Sequence, residues 1–446
     1  MRLFRTELNP LQTFVASFAL LAVIGTALLM LPFATAGGLV PWHDALFTAT
    51  SALCVTGLAV QDTGAVFTGF GQAVILLLIQ VGGVGLMTFS TLVLLILGRR
   101  ASMNDSYIVE YSYSEQTLRI GRLLMIVFLF TLAAETAGAL LLYPVFRGQH
   151  QAGFAAWSAV FHSVSTFCNA GFSLYSDSLC GYRISWTVNL VITGLIIIGG
   201  IGFPVISELV RHIQARRKHR SSRLNLHTMI VVGMTVTLLL VGTLGFYLAE
   251  PQCRDAESHG LLTAFFQSVT TRTAGFNTID FSRTTGAANL LTCSLMFIGG
   301  SPGSTAGGLK TTTMLVILLL AVTHLRGRSR TELASRLIPD GNAVKAITLT
   351  VLFVALIFTG TMLLLLFGGG AAGRLSFEIA MFETISALAT VGLSLGITAQ
   401  LSVTGKLVLT ALMLLGRLGP LVVARLFIRP EGQGKYRFPE ENVMVG

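Results

Sequence analysis

The sequence predicts an all-α integral membrane protein in which four parallel repeats of span, pore helix and span surround a pseudo-fourfold pore. Three observations predict it. Of 446 residues, 53% are hydrophobic and 11% charged, and the mean hydropathy is +0.76; a soluble domain carries roughly 25% charged residues. Nearly uncharged stretches recur at the length a helix needs to cross a bilayer, roughly 17 to 25 residues. One sequence pattern then occurs four times from end to end.

Eight spans are expected, over 14–31, 72–97, 123–145, 184–206, 229–249, 287–324 (interrupted), 346–367 and 407–427. They pair into repeats over 1–100, 101–220, 221–330 and 331–446, the last ending in a C-terminal tail. The formal charge of +10 would suggest nucleic acid in a soluble protein, but the positions of the charges mark topology instead. With both termini cytoplasmic, the inside holds Arg2, Arg5, Arg99, Arg100, Arg119, Arg122, the runs 211–223 and 326–336, Lys345, Arg425, Arg429, Lys435 and Arg437. The outside keeps Arg147, Arg183, Arg254, Arg272, Arg283, Arg374 and Lys406. That asymmetry follows the positive-inside rule. No nucleic-acid partner is expected; the partner is the lipid bilayer, whose anionic headgroups basic loops also attract. Arg2, Arg5, the first apolar run and Ala34-Thr35-Ala36 imitate a signal peptide, but cleavage would remove a helix that the first repeat needs. Five cysteines without a Cys-x-x-Cys pair or spaced histidines argue against a zinc or redox site. A disulfide between Cys180 and Cys253, both in outer loops, stays an open alternative.

The repeat is read from segments 47–57, 161–171, 265–275 and 382–392, each opening on Phe and closing on Gly. Five residues before each glycine stands Ala52, Thr166, Thr270 or Ala387, and after it Leu58, Phe172, Phe276 or Leu393. The second spans carry Gly82-Gly83-Val84-Gly85, Gly199-Gly200-Ile201-Gly202, Gly299-Gly300-Ser301-Pro302 and Gly416-Arg417-Leu418-Gly419. Every repeat starts and ends inside, so the four are parallel about an axis along the membrane normal. Each intervening segment is too short to span, which suits a re-entrant pore helix followed by an extended stretch. Such backbone at membrane depth must be buried in protein or line a wet cavity.

A dehydrated alkali cation needs several oxygen ligands at once, and rings of backbone carbonyls supply them. Glycine opens φ > 0 at little cost, so consecutive carbonyls can turn toward one axis. The ion-coordinating backbone is accordingly assigned to Val55, Thr56, Gly57, Asn169, Ala170, Gly171, Thr273, Ala274, Gly275, Thr390, Val391 and Gly392, with side chains pointing away. Arg272 is then tolerated where the other repeats hold Cys54, Cys168 and Ala389, since only its carbonyl need face the ion. The carbonyl ends of the pore helices would favour a cation nearby. His162 and Glu383 share one aligned pore-helix position with Thr48 and Phe266 and read as packing or filter-support groups.

The chain resembles the membrane subunit of the Ktr type in the Trk/Ktr/HKT superfamily of potassium transporters. The resemblance is carried by Thr271-Arg272-Thr273-Ala274-Gly275-Phe276-Asn277-Thr278, the stretch 299–313, Gly416 to Pro420 and the tail 439–446. Trk-type relatives have two further helices before the first repeat, for which this chain has no room. The resemblance implies a potassium-channel-like fold and potassium as the ion at the filter residues. It also implies a homodimer in the bacterial plasma membrane, gating by a cytoplasmic nucleotide-binding regulatory ring, and often sodium-dependent uptake. No organic cofactor is expected on this chain.

The third repeat's second span is interrupted by Gly299, Gly300, Ser301, Pro302, Gly303, Ser304, Thr305, Ala306, Gly307 and Gly308, followed by Leu309 and Lys310. Gly and Pro cost a helix about 1 and 3 kcal/mol, so an intramembrane loop beneath the filter is expected, similar to the family's gating loop. A phosphate-binding loop needs a Gly, four intervening residues and then Gly-Lys-Ser/Thr; here Gly303 and Gly308 have that spacing, but Leu309 intervenes before Lys310 and no strand precedes. Small-residue helix packing explains the glycines but not Pro302. Arg417 stands mid-span where the other repeats have glycine, and burying it costs roughly 2.5 to 3.5 kcal/mol. The expectation is that Arg417 binds loop carbonyls or hydroxyls, holding the gate shut and raising a barrier to cations; a structural ion pair with Glu208 or Glu135 is the alternative. Glu135 itself reads as a hydrogen-bond partner of a pore helix. No nucleophile, acid/base pair or metal constellation shares a membrane depth, so no enzyme is expected, and the parallel repeat argues against an inverted-repeat solute carrier.

Overall fold

The computed structural model describes residues 10–85, 120–219, 223–255, 259–328, 331–333, 336–370 and 373–427. Arg2, Arg5, Arg99, Arg100, Arg119, Arg429, Lys435, Arg437 and the tail 439–446 lie outside them. The described chain is helical apart from connecting loops and a two-residue antiparallel ribbon, Glu332–Leu333 against Arg336–Leu337.

Four helices open the repeats: α1 (Pro10–Leu29), α4 (Ile120–Arg147), α8 (Leu226–Ala249) and α12 (Asp340–Phe367). Among the described residues three meet the length and hydropathy of a continuous membrane span, Met125–Arg147, Leu226–Ala249 and Asp340–Phe367. No more than 28% of the most apolar stretch of each is buried. The rest faces outward as apolar surface, which only hydrocarbon or another apolar partner tolerates over such a length.

Each opening helix leads to a pore helix: α2 (Trp42–Leu53), α5 (Ala152–Phe167), α9 (Leu261–Thr270) and α13 (Phe377–Leu388). Glycines let each pore helix lean on its own opening helix. A Cβ at Gly138 would meet Ser163 Oγ at 2.4 Å, at Gly242 Ser268 Oγ at 2.3 Å, at Gly360 Thr384 Cγ2 at 2.8 Å and at Gly25 Ala49 Cβ at 3.3 Å.

The second spans depart from the expectation of unbroken helices over 184–206 and 407–427. In the second repeat α6 (Trp186–Ile201) and α7 (Phe203–Arg217) meet at Gly202 with a bend of 99°. In the fourth, α14 (Val403–Leu418) stops at Gly419 and α15 (Pro420–Phe427) follows. In the first, α3 (Gly69–Val84) is capped by Gly85, and residues 86–97 of that expected span lie outside the described residues. The reason is local: Gly85, Gly202 and Gly419 adopt φ of +89°, +98° and +88°, a conformation glycine enters freely and a helix cannot continue through. The third repeat breaks over a longer stretch, between α10 (Gly286–Phe297) and α11 (Thr311–Leu325).

The last repeat closes on the first through α14 and α2. There Lys406 Nζ donates to Asp44 Oδ1 at 2.7 Å, with both side chains buried, while Gln61 Nε2 donates to Asp44 Oδ2 at 3.0 Å. Cys180 and Cys253 are thiols rather than halves of a disulfide; Cys180 Sγ points to Asn277 O at 3.9 Å.

Candidate functional site

The stretches after the four pore helices converge into one closed ring. A Cβ added at Gly57 would lie 2.4 Å from Ala170 O, at Gly171 2.8 Å from Ala274 O, at Gly275 2.4 Å from Val391 O and at Gly392 2.0 Å from Thr56 O. Each glycine thus abuts the next repeat, the fourth returns to the first, and no side chain fits at any of the four positions.

Within each stretch φ changes sign residue by residue. The glycines have φ of +91°, +69°, +79° and +93°, and two residues earlier Val55, Asn169, Thr273 and Thr390 have φ of +56°, +59°, +71° and +50°. In an ordinary strand successive carbonyls alternate sides; alternating the handedness brings them to one side. Positive φ costs a non-glycine residue about 1–3 kcal/mol and survives where surrounding structure over-determines it. Here the amides do so. Val55 N donates to Ala52 O at 3.0 Å, Thr56 N to Ser51 O at 2.8 Å, Ala170 N to Ser165 O at 2.7 Å and Val391 N to Ser386 O at 2.8 Å. The carbonyls of the twelve ring residues accept no hydrogen bond among the described residues. Hydroxyls then fix the exit from the ring: Ser51 Oγ donates to Leu58 O at 2.7 Å, Ser165 Oγ to Phe172 O at 2.9 Å and Thr270 Oγ1 to Phe276 O at 2.5 Å.

The third repeat corrects the gap-free alignment by one residue. Its pore helix is capped by Thr271, four residues before Gly275, whereas Cys54, Cys168 and Ala389 cap theirs three residues before the glycine. Phe266, not Phe265, is therefore fully buried beside Phe47, Phe161 and Phe382. Gln267, not Phe266, is the counterpart of His162 and Glu383. All three brace the outer stretch: His162 Nε2 bonds Ser173 Oγ at 3.0 Å, Ser394 Oγ donates to Glu383 Oε1 at 2.6 Å and Gln267 Nε2 donates to Thr278 Oγ1 at 2.9 Å. Outside the ring a cavity of about 350 Å³ opens, with Gly57, Gly171, Gly275 and Gly392 all in its lining.

The first glycine of each second-span motif has a steric cause. A Cβ at Gly82, Gly199 or Gly416 would lie 1.8, 2.1 or 1.9 Å from the last carbonyl of a pore helix, that of Leu53, Phe167 or Leu388. At Gly299 the neighbour is instead Gly307 O, at 2.1 Å, because the interrupted segment folds back there. Gly299 N donates to Leu309 O at 3.0 Å and Gly300 N to Gly307 O at 3.3 Å. The loop also locks into the break of the second repeat. Ser301 N donates to Gly200 O at 3.1 Å, Thr305 N to Gly199 O at 3.3 Å and Phe203 N to Gly303 O at 3.1 Å. It reaches the ring itself where Asn169 Nδ2 donates to Thr305 Oγ1 at 3.2 Å, and where Gly307 lies so close to Thr390 that a Cβ would meet its Oγ1 at 2.0 Å.

Arg417 ties this loop to the first repeat: Nη1 donates to Thr305 O at 2.5 Å and Nη2 donates to Gly82 O. Among the described residues it forms no ion pair. Glu208 instead accepts from Thr228 Oγ1 at 2.5 Å, and Glu135 from Gln80 Nε2 at 3.2 Å and Cys168 Sγ at 3.9 Å. Lys310 Nζ folds onto Ala306 O at 2.7 Å. Two features escaped sequence reading. The left-handed residues at Val55, Asn169, Thr273 and Thr390 carry no side-chain signature. The bracing hydroxyls stand six residues before the glycine at Ser51, Ser165 and Ser386, where Ser386 Oγ accepts from Gly392 N at 3.1 Å, and the one-residue shift puts the fourth at Thr270.

The family model for TrkH, a cation transport protein, matches residues 5–436. The chain belongs to that family. It is 38% identical to the Ktr system potassium uptake protein B of Bacillus subtilis, over 98% of this chain and 97% of that one. It is 35% identical to the potassium/sodium uptake protein NtpJ of Enterococcus hirae, over 99% and 98%. The crystal structure of the potassium transporter TrkH from Vibrio parahaemolyticus superposes with a TM-score of 0.72 at 21% identity, covering 96% of this chain and 87% of that one. The fold is thus that of TrkH, four repeats about a pore, and the relatives are transporters rather than enzymes.

Proposed function

We propose that this chain is the membrane-spanning, ion-conducting subunit of a bacterial potassium uptake system, with the ring of four glycine stretches as its cation filter. The observation that carries this reading is the ring itself: four stretches closed on one another, with carbonyls that accept no hydrogen bond among the described residues. Oxygens so arranged replace the hydration shell of an alkali cation without a net charge. Potassium is the ion because relatives aligned over nearly their whole length are named for its uptake. Potassium is cargo, and no organic cofactor is assigned.

The loop 299–310 is the gate. It sits against two of the ring's strands, is clasped by the second repeat and is anchored by Arg417. A guanidinium at that point adds a positive barrier to cation passage, and withdrawing the loop from Thr390 and Asn169 would open the way. The relatives are named as proteins B and D of Ktr systems, which supports a separate regulatory subunit; that subunit is a cytoplasmic nucleotide-binding ring acting on this loop, and the chain is a homodimer in the plasma membrane with both termini cytoplasmic. The sodium in the name of the Enterococcus hirae protein supports sodium as an activator or second ion.

The test is uptake of potassium and of sodium by proteoliposomes holding the purified protein, wild type beside Gly275→Ser. Potassium-selective uptake by wild type that is lost or loosened in Gly275→Ser is expected. If neither potassium nor sodium moves, even with a regulatory ring added, the reading is overturned.

A further inference from the structure

Arg272 is the residue by which the third repeat exceeds the others. Its pore helix, α9, stops one residue early, so Arg272 stands between the helix cap Thr271 and the ring residue Thr273. Its amide is held by Val269 O at 3.1 Å. Arg272 is 7% exposed, and its side chain reaches the opening helix of its own repeat, where Nη2 donates to Thr235 Oγ1 at 3.5 Å. That is the long limit of a hydrogen bond. Nε has no partner and no carboxylate pairs with the group among the described residues. A guanidinium stays charged in proteins, so an unpaired cation is held in the protein interior beside one strand of the ring.

Every pore helix ends with its carbonyls at the ring, and each such end carries roughly half a negative charge. In the first, second and fourth repeats the last helical turn carries no basic residue and the cap is Cys54, Cys168 or Ala389. Only at the third does a cation follow directly. We infer that Arg272 is a fixed counter-charge that cancels the pull of one pore helix on the permeating ion, setting the filter for monovalent cations and against divalent ones. The inference rests on the ion-pathway reading above. Coulomb work is proportional to the charge of the ion, and a buried charge is little screened by salt. If Arg272 weakens potassium binding by a factor f, it weakens binding of a divalent cation at the same place by about f squared.

The experiment measures, in proteoliposomes, the KM for potassium and the barium concentration that halves uptake. Barium is the probe because its ionic radius is close to that of potassium. Arg272→Gln is expected to lower the potassium KM about fourfold to fifteenfold, as a unit charge roughly 10–20 Å away at an effective dielectric near 20 would do. The half-inhibitory barium concentration should fall by about the square of that factor. Arg272→Lys, which keeps the charge, should stay at wild-type values. Thr235→Glu, which neutralises the guanidinium in place, should match Arg272→Gln and carries the test if that variant does not fold. The inference is overturned by a KM and barium sensitivity within twofold of wild type, by equal factors for both ions, or by Arg272→Lys behaving like Arg272→Gln. Wild-type protein that moves no potassium would overturn the ion-pathway reading instead.

Discussion

Lys406→Met tests how the last repeat is fastened to the first. Lys406 stands in the first turn of α14, and its ammonium is 2.7 Å from the carboxylate of Asp44 in the first turn of α2, with side chains 9% and 5% exposed. Methionine keeps the volume but leaves Asp44 buried, supported by His43 Nδ1 at 2.9 Å and Gln61 Nε2 at 3.0 Å. Removing one partner of a buried pair costs about 3–5 kcal/mol, whereas replacing both with apolar or neutral groups is often neutral. The folded-to-unfolded ratio should therefore fall by about two to four powers of ten at 1.36 kcal/mol each, and Asp44→Asn combined with Lys406→Met should recover most of it. Reversible denaturation in mixed micelles, run as a double-mutant cycle, reads this coupling. A Lys406→Met protein within about 0.5 kcal/mol of wild type, or a double variant no better than the single one, would refute the clasp.

Three further outcomes follow from the geometry. Gly416→Ala would drive a Cβ to 1.9 Å from Leu388 O and should cost about 1–3 kcal/mol as overpacking, with uptake reduced; Gly194→Ala, with nothing within 4 Å, is the neutral control in the same denaturation assay. Glu383→Leu removes the acceptor of Ser394 Oγ at 2.6 Å, Leu395 N at 3.2 Å and Thr398 Oγ1 at 2.9 Å, each unsatisfied buried group costing about 1–3 kcal/mol. Competitive potassium and sodium uptake should show loosened discrimination, and Glu383→Gln a smaller change. Burial, with Asp177 and Asp280 nearby, pushes the Cys180 thiol, in the loop before α6, up to about 12. Thiolate grows as pH rises toward that value, so at pH 9 only about one thiol in a thousand is ionised and maleimide labelling should be slow, accelerating as pH rises further. Labelling at pH 7.5 at the rate of an exposed cysteine would contradict it.

Much of this architecture was legible because membrane solvation leaves so few options. Uncharged runs of spanning length must become helices, and a non-helical segment such as 299–310 must be sheltered. The four glycines at 57, 171, 275 and 392 were visible because a backbone-to-backbone approach leaves no room for any other residue. The breaks at Gly202 and Gly419 were not visible as breaks, since a glycine inside an apolar run reads equally as a packing residue, and only its φ tells the two apart. Arg417 could be expected to seek carbonyls from the cost of burying it, but its two acceptors, on Thr305 and Gly82, lie 112 and 335 residues away in the chain. Sequence distance carries no information about them. The shift at Arg272 was hidden by a coincidence of composition: Phe265-Phe266 offers two phenylalanines and Thr270-Thr271 two threonines, so the repeat aligns in either register.

The most direct measurement is an experimental structure of the protein equilibrated with rubidium, with anomalous scattering used to locate the ion. The account predicts rubidium on the axis of the ring, at the level of the carbonyls of 55–57, 169–171, 273–275 and 390–392, and loss of that signal in Gly275→Ser. A transport-competent wild-type protein with no rubidium between these carbonyls, or with its ion bound at side chains elsewhere, would contradict it.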